Sequence, residues 1–243
     1  MLSIVVVSFN TREITLKCLE WVYRAGVQNC EVTVIDNASN DGTVEAIAKA
    51  YKNVKLFRND SNMGFAKANN QGMTMAKGEW ILLLNSDCFL FQDSLTKIQD
   101  SISKIQADLI GCQLLNKDGT IQPSWGYFPT LKRVILMRVF VDNLPMVRDT
   151  FDSIHVRSEM RYDKALEVDW VTGAFVLLKK EVFQKTGGID EKYFMYGEEA
   201  EWMYRIKQAG FKIWYTPDAR AVHLLGASSP DRSPAVIGEM RGW

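Results

Sequence analysis

The chain is predicted to fold as an α/β protein with a mostly parallel central sheet, helices on both faces, and a small antiparallel region in its second half. Three observations carry this. Short β-branched runs alternate with amphipathic stretches through residue 107. The first of them, running from Ile4 toward Ser8, is apolar rather than alternating, as in a strand covered on both faces. After residue 108 the alternation stops and a hairpin signal takes its place. Regular strand–helix alternation implies right-handed crossovers between parallel neighbours.

The elements follow in order. Ile4 to Ser8 is the first strand, and the residues after Thr11 place Ile14, Cys18, Trp21, Val22 and Ala25 at helical spacing. Glu31 to Ile35 is the second strand, followed by a helix with Val44, Ile47, Ala48 and Tyr51 on one face. Val54 to Phe57 is the third strand, and residues 64–77 form an Ala- and Met-rich helix that stops at Lys77-Gly78. Trp80 to Leu84 is the fourth strand, and Leu95, Ile98, Ile102 and Ile105 stripe the next helix. Asp108 to Leu115 and Thr120 to Ser124 flank the turn Asn116-Lys117-Asp118-Gly119. Residues 125–166 lack clean periodicity. Val168 to Leu178 returns to strand composition, and Glu198 to Ala209 reads as a helix with Trp202, Met203, Ile206 and Ala209 inward. Phe211 to Tyr215 and Arg220 to Val222 read as two further strands.

Composition removes several classes. The 243 residues suit one large domain, or one domain with a modest extension, and 47% apolar with 24% charged residues is an ordinary globular mixture. Lys+Arg and Asp+Glu both number 29, so the basic excess of a general nucleic-acid binder is missing. The apolar runs fall short of the ~20 residues of a membrane-spanning helix. Met1 to Val5 has no basic leader, which argues against a secretory signal. The four cysteines are scattered and read as buried reduced thiols of a cytoplasmic protein. With only His155 and His223, a three-histidine metal site is excluded. No Gly-x-Gly-x-x-Gly, Gly-x-x-x-x-Gly-Lys-[Ser/Thr] or Gly-x-Ser-x-Gly is present, which removes the main support for a dinucleotide-binding domain, a P-loop NTPase and a serine hydrolase.

What remains is a sheet with polar residues at its strand ends, where open α/β sheets hold ligands. The first strand ends in Ser8-Phe9-Asn10, and the second in Asp36-Asn37-Ala38-Ser39-Asn40-Asp41-Gly42. The third leads to Asn59-Asp60-Ser61-Asn62-Met63-Gly64-Phe65, followed by Asn69 and Asn70, and the fourth ends in Asn85-Ser86-Asp87. Any one cluster is ordinary turn or capping chemistry. Four at one sheet edge imply a shared polar cleft. Asp36 there could accept a hydrogen bond from a pyrimidine N3–H or a ribose hydroxyl. Asp87 could hold a hard divalent cation beside diphosphate oxygens. A neutral His223 facing Asp87 suits Mn²⁺ or Mg²⁺, the former more readily. Glu198 and Glu199 open a helix, where the dipole alone favours acids. Adjacent helical residues diverge by about 100°, so the two serve different targets: one as general base, the other holding backbone or an acceptor hydroxyl.

These residues resemble the family 2 glycosyltransferases of the GT-A fold, in particular the rhamnosyltransferase-like branch that builds bacterial surface polysaccharides. The matching segments are Ser3 to Asn10, Val34 to Thr43, Asn62 to Gly72, Leu82 to Asp87, Val171 to Phe175, Gly187-Gly188-Ile189-Asp190-Glu191, Gly197-Glu198-Glu199 and His223, in the family's order. The resemblance implies a single Rossmann-like GT-A domain over 1–228, with a nucleotide-sugar half at 1–107, an acceptor half at 108–228 and a poorly ordered tail at 229–243. It implies that Asp36 contacts the base, and that Asn85-Ser86-Asp87 stands in place of the family's DxD motif. Asp87 and His223 would hold Mn²⁺ or Mg²⁺. Ser8, Asn10, Asn37, Asn62 and Asn69 would support the nucleotide, and Gly64 and Phe65 would let backbone approach it. Thr172, Gly173 and Ala174 would line the sugar and acceptor side, and Glu199 would be the catalytic base beside Glu198. Glu199 is one methylene longer than the Asp usual in the family.

The implied activity is inverting, metal-dependent transfer of rhamnose or a similar hexose. The donor is dTDP-rhamnose first and a UDP-sugar next, and the acceptor is a saccharide or lipid-linked saccharide hydroxyl. The alternative is a catalytically weak nucleotide-sugar binder serving a polysaccharide-assembly complex. Residues 130–141 mix apolar and basic side chains and fit two readings. One is a buried helix under the acceptor side; the other is an interfacial helix on the inner face of an anionic membrane.

Overall fold

The structure, a computed structural model, describes residues 1–26, 29–138, 154–193 and 197–226. The elements in chain order are β1 (Leu2–Ser8), α1 (Arg12–Arg24), β2 (Cys30–Asp36), α2 (Thr43–Ala50), β3 (Lys55–Arg58), α3 (Phe65–Met75), β4 (Trp80–Asn85), β5 (Cys88–Leu90) and α4 (Ser94–Ile105). They continue with β6 (Leu109–Leu115), β7 (Ile121–Gln122), β8 (Trp125–Gly126), α5 (Leu131–Arg138), β9 (Leu166–Glu167), β10 (Trp170–Val171), β11 (Phe175–Lys179), α6 (Lys180–Thr186), α7 (Glu198–Gln208) and β12 (Ile213–His223). The tail expected at 229–243 lies outside the described residues.

The main sheet runs in the order β3-β2-β1-β4-β11-β6-β12-β5, with β7 on β6 and β9 on β12. Strands β3, β2, β1 and β4 are mutually parallel, and β6 and β12 form another long parallel ladder. The shorter ladders of β11, β5, β7 and β9 are antiparallel. Successive side chains of a strand face opposite sides. Accordingly Ile4 and Val6 enter one core with Cys18, Leu19, Ile47 and Ile98, while Val5 enters the other with Ala68, Met73, Trp202 and Met203. An apolar β1 is thus what a sheet covered on both faces requires. At Gly72 of α3, a β-carbon would stand 2.1 Å from a Val5 methyl, so only glycine lets this helix lie so close to the sheet.

Three local expectations need correction. Val168 to Leu178 is not one strand. Val171 pairs with Trp125 in a separate two-stranded ribbon, whereas Phe175 pairs with Leu84 of the main sheet, so the chain changes sheets across Thr172–Ala174. Conversely, Phe211 and Lys212 precede β12, and Ile213 to Tyr215 and Arg220 to Val222 belong to that one strand, with a register shift between Thr216 and Arg220. That interval holds Pro217, which cannot donate to a ladder. Strand β5 and helix α6 were not expected at all.

Strand β5 reveals the sheet's shape. It follows β4 after only Ser86 and Asp87, yet four strand intervals separate the two in the sheet. Four intervals span about 19 Å in a flat sheet, whereas three residue steps span at most about 11 Å. The sheet therefore curls back on itself. The irregularity in β12 lies within the curl, where a bulge bends and re-aims a strand. This curl carries the end of β12 to the segment just beyond β4.

Candidate active site

The parallel register sets the carboxyl ends of four strands at one level: Ser8 is opposite Asp36, Val7 opposite Asn85, and Asp36 opposite Arg58. Asp36 is fully buried. Its Oδ2 accepts the Ser39 N–H at 2.9 Å, while its Oδ1 is buried with no hydrogen-bond partner. Buried polar atoms are nearly always paired, so an orphaned carboxylate oxygen at a strand end marks a place for a ligand's donor.

The neighbouring residues brace this edge. Asn37 donates to the Gly64 carbonyl at 3.2 Å and accepts from Asn59 at 2.8 Å. Asn62 Oδ1 accepts the Gly64 N–H at 3.0 Å, and Gly64 takes φ +81°, a conformation that favours glycine. Asn69 donates to the Phe65 carbonyl at 3.0 Å, fixing the first turn of α3. Asn10 adopts φ 51°, donates its N–H to Ser39 Oγ and accepts the Asn40 N–H, stitching the loops after β1 and β2 together. Ser8 is buried in a hydroxyl cluster with Thr11 and Thr15, and Ser86 Oγ lies 3.5 Å from Thr11 Oγ1. The structure thus places Ser8, Asn10, Asn37, Asn62 and Asn69 along this strand-end edge.

The curl of the sheet produces the second feature. His223 pairs in register with Cys88, and the Leu224 N–H donates to the Asp87 carbonyl, so Asp87 and the end of β12 are neighbours. Asp87 is fully buried, and its Oδ1 lies 3.4 Å from His223 Nε2. His223 Nδ1 lies 2.7 Å from Gln122 Oε1. No third His, Cys, Asp or Glu among the described residues completes a metal-sized cluster with them. A carboxylate and an imidazole nitrogen facing each other match the donor set of Mn²⁺ or Mg²⁺, with diphosphate or water oxygens needed to fill the remaining positions. Burial pushes the thiols of Cys18, Cys88 and Cys112 well up, with the Asp87 charge adding to the shift at Cys18 and Cys88, so no thiolate competes there.

The third feature is the first turn of α7, introduced by Gly197 at φ +86°. Glu198 is buried and its Oε2 has no hydrogen-bond partner. Burial, and then the charge of Glu199, push its carboxyl up to about 8. A helix N-terminus stabilises an anion by only about 0.3–1 kcal/mol in exposed settings, so desolvation wins here. The helix is fixed to α3 through the Gly187–Glu191 segment. Trp202 donates to the Gly187 carbonyl at 2.9 Å, Arg205 donates to the Thr186 and Gly188 carbonyls, and Asn70 exchanges hydrogen bonds with the Ile189 backbone.

Between the two features runs Thr172-Gly173-Ala174. Asn85 N–H donates to the Ala174 carbonyl at 3.0 Å, the Thr172 N–H donates to the Ser124 carbonyl at 2.9 Å, and a β-carbon at Gly173 would touch the Phe65 ring at 3.4 Å. The structure therefore joins Asp87 to His223 directly. Glu198 and Glu199 stand on a separate helix outside that pair. Gln122, Thr11 and Thr15 carry no signal of a site in the sequence, whereas Ser39 and Asn59 already stand in the polar clusters after the second and third strands. Single polar residues in strands or turns look like solvent-facing ones until the topology shows what they meet.

Glu198 has a measurable consequence. Its folded-state carboxyl is raised above the ordinary value of 4.5, so the native state binds more protons than the unfolded chain between about 4.5 and 8. Stability then falls as pH rises through that window. Thermal unfolding should show Glu198→Gln more stable than wild type at pH 8, by on the order of 1 kcal/mol or more, and nearly equal to it at pH 5. Parallel pH–Tm curves for the two proteins would contradict this.

A family model described as glycosyl transferase family 2 matches residues 3–187. The N-acetylglucosaminyl-diphospho-decaprenol L-rhamnosyltransferase of Mycobacterium tuberculosis strain H37Rv is 30% identical over 216 residues, covering 84% of this chain and 69% of that protein. The dTDP-rhamnosyl transferase RfbF of Shigella flexneri is 27% identical over 237 residues, covering 96% of this chain and 71% of that protein. Among solved structures, the mannosyltransferase PcManGT from Pyrobaculum calidifontis, in complex with GDP-Man and Mn²⁺, superposes with a TM-score of 0.64 at 18% identity. It covers 97% of this chain, which spans 59% of that solved chain, and it shows the shared GT-A fold. With the family model spanning most of the chain and rhamnosyltransferases among its relatives, this protein belongs to glycosyl transferase family 2.

Proposed function

We propose that this protein transfers rhamnose or a similar hexose, with inversion, from a nucleoside-diphosphate sugar to a hydroxyl of a saccharide or lipid-linked saccharide. The observation that carries this reading is the buried Asp87–His223 pair at 3.4 Å, set just beyond the strand ends that present the orphaned Asp36 oxygen. dTDP-rhamnose is favoured because a relative aligned over 96% of the chain is a dTDP-rhamnosyl transferase, and a UDP-sugar comes next. Asp36 accepts the pyrimidine N3–H of either. The backbone after Gly64 and the residues Asn85 and Ser86 border the nucleotide. Asp87 and His223 Nε2 hold the cation, Mn²⁺ or Mg²⁺. When bound, that cation stabilises charge growing on the departing diphosphate.

Residues 108–228 supply the acceptor side, with Thr172, Gly173 and Ala174 along the sugar. Glu199 takes the acceptor hydroxyl proton as that oxygen attacks the anomeric carbon from the face opposite the leaving diphosphate. Glu198, its carboxyl pushed up by burial and by the charge of Glu199, stands beside it in the same turn. A thermal-shift screen with Mn²⁺ tests the donor. A donor present at about 100 times its Kd adds about 2.7 kcal/mol of stability. dTDP-rhamnose should raise Tm and release dTDP slowly; a panel of nucleotide-sugars that leaves Tm unmoved would refute the reading.

The same reading locates a membrane contact. Among the described residues no helix is long and apolar enough to cross a membrane. Helix α5 carries no buried residue, so the reading of 130–141 as a buried helix is corrected over the described part, 131–138; residues 139–141 lie outside it. Leu131 and Ile135, one helical turn apart, are 78% and 51% exposed, and Lys132 and Arg138 flank them. This suits a peripheral seat on an anionic inner leaflet, where a lipid-linked acceptor would lie. A basic residue near such a surface contributes about 1 kcal/mol, so Lys132→Gln with Arg138→Gln should weaken co-sedimentation with anionic vesicles by about an order of magnitude. Equal sedimentation of variant and wild type would remove the membrane contact.

A further inference from the structure

We infer that Gln122 is a positioning residue that holds His223 in the Nδ1–H tautomer, so that the Nε2 lone pair is presented to the cation beside Asp87. The inference rests on the metal reading above and adds a residue from a different part of the fold. Gln122 is buried in β7 opposite Leu114 of β6, and its side chain reaches past β6 to the end of β12.

The hydrogen-bond directions follow from atoms that can only accept. Asp118 Oδ1 accepts the Thr120 hydroxyl at 2.6 Å, so Thr120 Oγ1 accepts from Asn116 Nδ2 at 3.0 Å. Asn116 therefore turns its Oδ1 to Gln122, which must present its NH₂ there, at 2.9 Å. The His223 carbonyl, also an acceptor only, takes a second hydrogen bond from the same NH₂ at 3.2 Å. Two independent acceptors thus fix the amide's orientation. Its Oε1 is left facing His223 Nδ1 at 2.7 Å, and a neutral imidazole can satisfy that contact only by carrying its proton on Nδ1. In the other tautomer two lone pairs would meet at that distance, and an N–H would point at Asp87 in the cation's place. Partners of this kind behind a ligating histidine fix its tautomer and ring orientation, and their loss typically costs about 10–100-fold in metal affinity. The turn Asn116–Gly119, legible as a simple hairpin, is then the outer support of the metal-side pair.

The test uses ¹⁵N-histidine-labelled protein without metal, at mildly alkaline pH where imidazole is neutral. Only His155 and His223 contribute, and His223→Asn identifies the signals by their loss. Long-range ¹H–¹⁵N spectra of the wild type should show a pyrrole-type Nδ1 and a pyridine-type Nε2 at His223. Gln122→Leu should move the proton to Nε2 and weaken Mn²⁺ binding, read by electron paramagnetic resonance with dTDP present, by about 10–100-fold. Gln122→Glu, which still accepts from Nδ1–H but can no longer donate to Asn116 or the His223 carbonyl, should keep the proton on Nδ1, which separates the tautomer from the amide's other contacts. A wild-type His223 protonated on Nε2 overturns the inference without any variant. Mn²⁺ bound equally by wild type and Gln122→Leu overturns the inference alone. A wild type that binds no Mn²⁺ overturns the metal reading with it.

Discussion

Asp87→Asn is expected to abolish Mn²⁺ binding and to cut sugar transfer by about 10³-fold or more. A cation at a developing negative charge supplies several kcal/mol of transition-state stabilisation, and each 1.36 kcal/mol is a factor of ten in rate. The substitution is nearly isosteric and leaves the backbone carbonyl that accepts the Leu224 N–H in place. Tm in the absence of metal should therefore stay near the wild-type value while transfer collapses. That combination separates loss of the metal side from loss of the fold. Full transfer by Asp87→Asn would refute the role assigned to Asp87.

Glu199→Gln should behave differently. A positioned general base is typically worth about 10²–10⁴-fold, so kcat should fall by that factor. Affinity for dTDP with Mn²⁺ should stay at the wild-type value, because α7 lies outside the Asp87–His223 pair and, among the described residues, is tied to α3 through Gly187–Ile189 and Asn70. Glu199→Asp, which installs the shorter carboxylate usual at this place in the family, should keep transfer within about tenfold, since the basic group is retained. Wild-type turnover by Glu199→Gln would show that another group takes the proton, with Glu198 the first to examine because it shares the same turn.

The nucleotide side of this molecule was readable in the sequence, and the reason is physical. Strands β1, β2 and β4 run into their ends through buried or half-buried apolar residues, Val5-Val6-Val7, Val34-Ile35 and Leu82-Leu83-Leu84, and the polar residue that closes each marks the sheet edge. Ser8, Asp36 and Asn85 all stand at such points, and the parallel register brings them level. What the sequence hid depends on contacts far apart in the chain. Cys88–Leu90 is too short to display a period, although its pairing with β12 is what delivers His223 to Asp87. Pro217 made one long strand look like two. Gln122 is a lone polar residue in a two-residue strand, and its partner is 101 positions away. The burial of Glu198 was equally invisible: three acids in a first turn look like dipole chemistry until the fold shows one of them cut off from water.

The account stands or falls on where a nucleotide and a cation sit. A crystal structure of the full chain with dTDP and Mn²⁺ decides it. Expected is the thymine N3–H on the orphaned oxygen of Asp36, with the cation bound by the Asp87 carboxylate and His223 Nε2 and by diphosphate oxygens. A nucleotide seated away from Asp36, or a cation that leaves Asp87 and His223 untouched, would contradict it.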